Sequence, residues 1–369
     1  MRKSSSKLQL LLGGKSMLRI YRCLAIALFA GSLLHASTTE PAPRDLPEQS
    51  HLMIGRLQQW YVSDTGQWNS TGWWNSANAL TVVIDYSRIT RSDNLSNVLT
   101  ESFQQHLHPN FLNDYYDDEG WWALAWIDAY DLTHNPQYLS MAATIFDDMS
   151  KGWDNVCGGG IWWSKDRKYK NAIANELFLS VAAHLANRTS SPEEKTRYST
   201  WAEREWAWFH NSSMIRPDSQ INDGLDENCK NNNKTVWSYN QGVILGGLTE
   251  LSTAVHSKKP LRDADHIANA AIKKLTDASG ILHDVCEPNC GDDGPQFKGI
   301  FVRNLALLNR RKPKRSYEHF IVANATSILA HQDDTHAIGV NWAAPTTTAT
   351  AATQTSGLDA IVAALSLQQ

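Results

Sequence analysis

Strand-like alternation is scarce in this chain of 369 residues, and so are the signatures that open the common nucleotide and hydrolase folds. It has no P-loop, no G-x-G-x-x-G opening a helix, no H-E-x-x-H and no G-x-S-x-G. Their absence sets aside phosphate-cradling, dinucleotide-binding, zincin and nucleophile-elbow chemistries. Cysteine is sparse, with five in all. The one N-terminal apolar run, Cys23–Leu34 (CLAIALFAGSLL), is shorter than the roughly 20 residues a membrane span needs. A basic excess is missing too. The formal charge is −4, but residues 1–36 hold six cations (Arg2, Lys3, Lys7, Lys15, Arg19, Arg22) and no acid. The remainder therefore sets 28 bases against 38 acids, a balance of −10. A body this acidic has no electrostatic case for binding nucleic acid.

What is present begins with a secretory pattern. Arg19 and Arg22 precede the short apolar run and small residues follow it near Ala36, which predicts a signal peptide over 1–36. An N-terminal anchor helix is the competing reading. Residues 37–50, with the Pro41–Pro47 stretch, read as a lead-in to a single catalytic unit over 51–369. Six N-x-S/T sequons (Asn69, Asn94, Asn187, Asn211, Asn233, Asn324) suit an exported glycoprotein. Beyond the signal, Cys157, Cys229, Cys286 and Cys290 remain, an even number that allows three pairings. Cys286 and Cys290 bracket a tight Glu-Pro-Asn turn and form the favoured pair, which leaves Cys157 for Cys229. A zinc site lacks clustered His and a second close pair. The Leu358–Leu367 segment is too short and carries Asp359, so no lipid-anchor tail is expected. The reading is a secreted protein, extracellular or associated with a cell wall. It has no stable membrane anchor, no metal and no cofactor, and is expected to be a monomer.

Hydrophobic period and breakers predict twelve helices, near 51–63, 75–90, 95–107, 119–132, 136–150, 170–187, 192–210, 238–256, 261–277, 296–311, 316–331 and 356–367. Gly160–Ser164 reads as a short hairpin. The even-numbered helices are apolar nearly all round, whereas the odd-numbered ones carry a charged face, as in Glu193-Glu194-Lys195. A helix apolar on every side is interior and an amphipathic one faces water. Six such alternations predict an all-α fold, an (α/α)6 barrel of six inner and six outer helices. The inner helices then share a direction, and the segments before their N-termini converge on one rim. Those segments are rich in aromatic, amide and acidic residues. Trp73, Trp74, Trp162, Trp163 and Trp237 lie in or beside these polar loops, where pockets concentrate aromatics.

On that rim, Asn113–Trp122 (NDYYDDEGWW) sets two adjacent carboxylates, Asp117 and Asp118, against aromatic pairs at a helix start. Repulsion raises one proton affinity while the helix N-terminus favours the remaining charge, leaving an acid and a base or nucleophile near neutral pH. The bland alternative is an N-cap with a solvated neighbour. Three other Asp-Asp pairs compete. Asp147-Asp148 ends an outer helix and reads as a solvated face, Asp333-Asp334 lies away from the rim, and Asp292-Asp293 lies on the rim as a candidate for binding a sugar hydroxyl. His331 and His336, five apart, read as structural or exposed.

The segments YYDDEGWWALAWIDAYDLT, GGGIWWS with YKNAIANELFL, NDGL, WSYNQGVILGGL and GPQFKGIFVRNL, in that order, resemble family 76 glycoside hydrolases over about residues 50–365. The resemblance implies the same barrel and cleavage of α-1,6-linked mannan with retention of configuration. It implies Asp117 as nucleophile and Asp118 as acid/base. Retention asks for carboxyl groups about 5–5.5 Å apart, so the pair is expected at a non-helical entrance. Candidate sugar-binding residues are Trp74, Asn78, Trp121, Trp122, Asp223, Tyr239, Asn240, Phe297 and Lys298. A cell-wall mannan transglycosidase and a non-hydrolytic mannan-binding protein are the alternatives.

Overall fold

The computed structural model describes residues 43–369. The expected signal peptide and most of the expected lead-in lie outside the described residues. Helices dominate what is described: α1 (Leu46–Gln58), α2 (Trp73–Thr90), α3 (Ser96–Gln105), α4 (Tyr116–Thr133), α5 (Pro136–Ser150), α6 (Ala172–Arg188), α7 (Pro192–Asn211), α8 (Ser238–Ala254), α9 (Lys259–Leu275), α10 (Phe297–Arg311), α11 (Arg315–His331) and α12 (Ala351–Ser366). A small hairpin, β1 (Tyr61–Val62) with β2 (Gln67–Trp68), pairs Tyr61 with Trp68 antiparallel. None of the described helices is long and apolar enough to cross a membrane.

The differences from expectation have local causes. α1 begins at Leu46 because Pro47 fits the first helical turn, where its missing N–H is not needed. The lead-in is therefore shorter, and residues expected to prolong this helix form β1 instead. α12 starts at Ala351, five residues early. Thr350 Oγ1 accepts from Thr353 N–H (3.2 Å) and Thr353 Oγ1 from Thr350 N–H (2.9 Å), a reciprocal cap hidden in a Thr/Ala stretch that reads as loop. The hairpin expected over Gly160–Ser164 is realised only as isolated bridges, Trp153 to Ile161 and Tyr115 to Ser164.

The barrel is as expected. α2, α4, α6, α8, α10 and α12 pack in that order and α12 returns to α2, closing a ring. Outside it, α3 lies on α2, α5 on α4 and α6, α7 on α6, α9 on α8, α11 on α10 and α12, and α1 on α12. Burial follows the alternation: α6 is buried from Ala172 through Ala186 and α12 from Ala351 through Leu365. Inner helices approach closely where side chains vanish, since a Cβ on Gly242 of α8 would lie 2.5 Å from the Phe301 backbone of α10. Between α3 and α4, Phe103, Phe111, Trp122 and Trp126 form one aromatic block. Burying Phe111 alone contributes roughly 1.5–3 kcal/mol. Both disulfides, Cys157–Cys229 and Cys286–Cys290, form as expected.

Candidate active site

Asp117 and Asp118 occupy the first turn of α4, inside the helix rather than at a non-helical entrance. Acids are favoured there by the orphan N–H groups and the helix dipole. The turn is pinned from outside. Tyr116 N–H donates to the Trp163 carbonyl (2.9 Å), and Tyr115 bridges to Ser164. The loop carrying Trp163 is rigid in turn, because the buried Lys170 ammonium donates to Asp154 Oδ1 (2.8 Å) and to the carbonyls of Val156 (2.8 Å), Gly159 (2.7 Å) and Gly160 (3.0 Å). Gly160 adopts φ +79°, and a Cβ there would meet the Trp208 ring at 2.3 Å, so only glycine serves.

The two carboxylates have different partners. Asp117 Oδ2 accepts from Trp163 Nε1 (3.0 Å), while its buried Oδ1 has no hydrogen-bond partner among the described residues. Asp118 Oδ2 accepts from Asn113 Nδ2 (2.6 Å). Neither carries a salt bridge among the described residues. Burial, and then repulsion from Asp118, hold the Asp117 carboxyl well above the ordinary carboxylate range against the Trp163 hydrogen bond. Asp118 is pushed up to about 6, first by burial and further by Asp293, against the pull of Asn113. Desolvation thus leads mutual repulsion, the reverse of the emphasis drawn from adjacency alone. Two anions are disfavoured together, so the pair gives up its second proton less readily than its first. Glu119 next door is buried. It accepts from Lys165 Nζ (2.8 Å) and is raised to about 7 by burial.

Around Asp117 lies a hollow of about 210 Å³, built from five of the six inner-helix N-termini and the loops before them. Trp74 from α2 and Trp121 from α4 stack with centroids 5.6 Å apart, and Tyr239 from α8 stacks on Phe297 of α10 at 3.8 Å. Trp74 Nε1 donates to Asp293 Oδ1 (2.9 Å), and Tyr169 donates its hydroxyl proton to Asp223. The aromatic faces suit the C–H face of a pyranose, and the carboxylates and amides suit its hydroxyls. Among the described residues, no three His, Cys, Asp or Glu side chains converge as a metal site.

The structure thus gathers Asp117, Trp74, Trp121, Asp223, Tyr239 and Phe297 in one cleft, with Asp118 beside it. Four expected sugar contacts lie elsewhere. Trp122 is fully buried between Trp73, Phe111 and Trp126. Asn78 is buried with Oδ1 accepting from Arg303 Nη2 (2.6 Å). Asn240 is fully buried inside the ring. Lys298 is buried against Glu287 (2.6 Å) and the Val340 carbonyl (2.7 Å), over the Trp342 ring. For Trp122, Asn240 and Lys298 helical rotation decides, since one residue along, 100°, separates cleft from core; Asn78 lies on the Trp74 face but is buried one turn further along α2. Asp293 and Trp163, flagged on the rim, do line the cleft, but Trp73 and Trp162 do not. Tyr169 and the anchoring role of Asn113 were missed. The asparagine stands five residues before Asp118, in a turn where such side chains bond locally.

A double ring of helices with adjacent carboxylates beside an aromatic cleft at the inner N-termini is the architecture of the α/α-barrel glycoside hydrolases. Within that class the chain belongs to glycosyl hydrolase family 76, whose sequence profile matches residues 48–369. It is similar to the mannan endo-1,6-alpha-mannosidases DCW1 of Candida albicans and of Saccharomyces cerevisiae. Identity is 27% over 271 residues, covering 66% of this chain and 59% of the relative, and 27% over 304 residues, covering 73% and 66%. The chain thus spans about three fifths to two thirds of the length of these curated relatives. Its fold is similar to that of an inactive variant of an alpha-1,6-mannanase of Salegentibacter sp. HEL1_6 in complex with alpha-1,6-mannotetrose. There the TM-score is 0.77 and identity 24%, covering 88% of this chain and 99% of that one.

Proposed function

We propose that this chain is a retaining glycoside hydrolase that cleaves α-1,6-mannosidic linkages in mannan, with Asp117 as nucleophile and Asp118 as acid/base. The single observation that carries this reading is the adjacent carboxylate pair at the start of α4, without a salt bridge among the described residues, beside a stacked aromatic cleft. Family membership supports it. So does the fold neighbour that binds alpha-1,6-mannotetrose when two consecutive aspartates are replaced.

Asp118 donates its proton to the leaving glycosidic oxygen as Asp117 Oδ1, which has no protein partner, attacks the anomeric carbon. Water then attacks the glycosyl-enzyme, and Asp118 takes its proton as base. Burial raises the proton affinity of both carboxyls. Catalysis needs the proton on Asp118 and the charge on Asp117. Positive charge developing at the anomeric carbon favours that arrangement, because it stabilises the Asp117 anion. The aromatic floor excludes water and keeps these terms large.

The catalytic unit on this reading is the barrel, and the protein is exported to an extracellular or wall-associated place. Two disulfides support an oxidising compartment. The test is release of reducing ends from unbranched α-1,6-mannan, with the anomer read by NMR. First-formed α-product from wild type and none from Asp117→Ala or Asp118→Ala is expected. Equal release by all three proteins would remove the pair from the mechanism.

A further inference from the structure

At 210 Å³ the cleft is smaller than the roughly 300–1,000 Å³ of typical ligand pockets, so it encloses only part of an oligosaccharide. A second hollow of about 540 Å³ adjoins it, and the Tyr169 ring is a wall of both. We propose that this second hollow is an accessory subsite that takes one further hexopyranose of the glycan being cleaved.

Its walls are built rather than incidental. The Cys157–Cys229 disulfide ties the loop before α6 to the loop before α8, and the hollow lies between those loops. On one side, Lys170 locks the Val156–Gly160 backbone through three carbonyls. On the other, Asp226 Oδ1 accepts from the N–H groups of Asn228 (2.9 Å) and Lys230 (2.9 Å), fixing the turn that presents Glu227. The lining has the composition a sugar needs. Trp162, Val156 and Leu225 supply apolar surface, while Glu227, Lys168 and Lys234 are exposed polar groups at the margin. Glu227 has neither an ion pair nor a side-chain hydrogen bond among the described residues. It is free to accept from sugar hydroxyls.

The link to the cleft is chemical as well as spatial. Tyr169 donates to Asp223 on the cleft side and accepts from Asn232 Nδ2 (2.8 Å) on the accessory side, so one hydroxyl spans the two walls. This subsite rests on the glycosidase reading above. The sugar it takes belongs either to the mannan backbone beyond the scissile bond or to a side branch.

Val156→Trp fills the hollow from an exposed position, and Lys168→Ala with Glu227→Ala strips its polar margin without touching the cleft. Wild type and both variants are assayed on linear α-1,6-mannooligosaccharides from three to seven units and on α-1,2-branched mannan. Melting temperatures within 2 °C, on the order expected for exposed sites, qualify the variants as folded. The expected result is about tenfold higher KM on the substrates that reach the hollow, with kcat/KM on the shortest cleaved substrate within about twofold of wild type. A loss that appears only with longer linear chains assigns the backbone, and one confined to branched mannan assigns the branch. Losses equal at every length and branching, or no loss anywhere, overturn the subsite. If wild type cleaves none of these glycans, the glycosidase reading fails separately. Calorimetric titration with linear α-1,6-mannohexaose and with the branched mannan then decides the subsite, and equal affinity of wild type and Val156→Trp for both overturns it.

Discussion

Asp117-Asp118 and Asp147-Asp148 are the same dipeptide in two settings. The first lies in the opening turn of α4, has no cation within salt-bridge reach and is raised in both carboxyls. The second lies in the last turn of α5, where the helix dipole disfavours acids, yet it is surrounded by cations. Asp148 pairs with Lys151 (2.8 Å) and Lys165 (2.7 Å), and Asp147 with Arg197 (2.7 Å). Burial pushes Asp148 up, but the two lysines outweigh it and the carboxyl ends below its ordinary value. Cations hold the α5 carboxylates in ion pairs; without such partners among the described residues, both α4 carboxyls keep a raised proton affinity. Asp148 is therefore not the solvated residue its position suggested.

The contrast is broken most severely by removing carboxylates one at a time. Asp117→Ala and Asp118→Ala are each expected to lower kcat/KM on α-1,6-mannan by about 10³-fold or more, the scale of lost nucleophilic or general acid catalysis. Asp147→Ala is expected to stay within about twofold. A large loss in Asp147→Ala with unchanged folding would end the distinction.

Next in size is pH. On the proposed mechanism the pair works with one proton, so kcat/KM should rise through about pH 6 as the doubly protonated form loses its first proton, and fall at a higher pH as the second is lost. Stability follows the same groups. Because the folded pKa of Asp118 is raised above its unfolded value, the native state binds more protons between about pH 4 and 6, and stability falls as pH rises through that window. Asp118→Asn should therefore gain about 1–3 kcal/mol over wild type on going from pH 4 to pH 7. Urea unfolding at both values measures it, and a gap that does not widen with pH contradicts the raised pKa.

Much of this was legible before any coordinates, and the boundary is physical. The inner ring could be read because helices such as α6 and α12 are buried on all sides, and burial on all sides writes itself into composition. The cleft could be located because five inner N-termini meet there, but its members could not all be chosen. Trp121 faces the cleft and Trp122 the core on the strength of one helical step. Lys298 was lost to Glu287, a partner eleven positions back that pairs only once the fold brings it near. The cations around Asp147 and Asp148 come partly from α7 and from the loop before α6, so no local pattern foretold those two.

Lys165 links the α5 dipeptide to the residue that follows the α4 one, since it reaches Asp148 on one side and Glu119 (2.8 Å), next to Asp118, on the other. Lys165→Ala should cost about 1–2 kcal/mol, below the ~3–5 kcal/mol of a fully buried pair because this lysine is part-exposed. Its hydrogen bond holds the Glu119 pKa down, so its loss raises that pKa and moves the cost to higher pH. Denaturation at pH 6 and pH 8 should show the larger deficit at pH 8, and a constant deficit would place the effect in packing alone.

The smallest change sharpens the contrast at a single hydrogen bond. Trp163→Phe keeps a ring against Tyr115 (centroids now 5.0 Å apart) but removes the Nε1 donor to Asp117 Oδ2. That donor lowers the Asp117 pKa, so without it the last proton leaves the pair at higher pH. The basic limb of the kcat/KM profile should move up while the acid limb, set by Asp118, stays in place. The maximum rate should fall by about three- to tenfold, the worth of one ordinary net hydrogen bond. A fall at every pH with both limbs fixed would mean that Trp163 only shapes the cleft. Movement of the basic limb alone would show that the indole sets how firmly Asp117 holds its charge, the property that separates this dipeptide from its twin on α5.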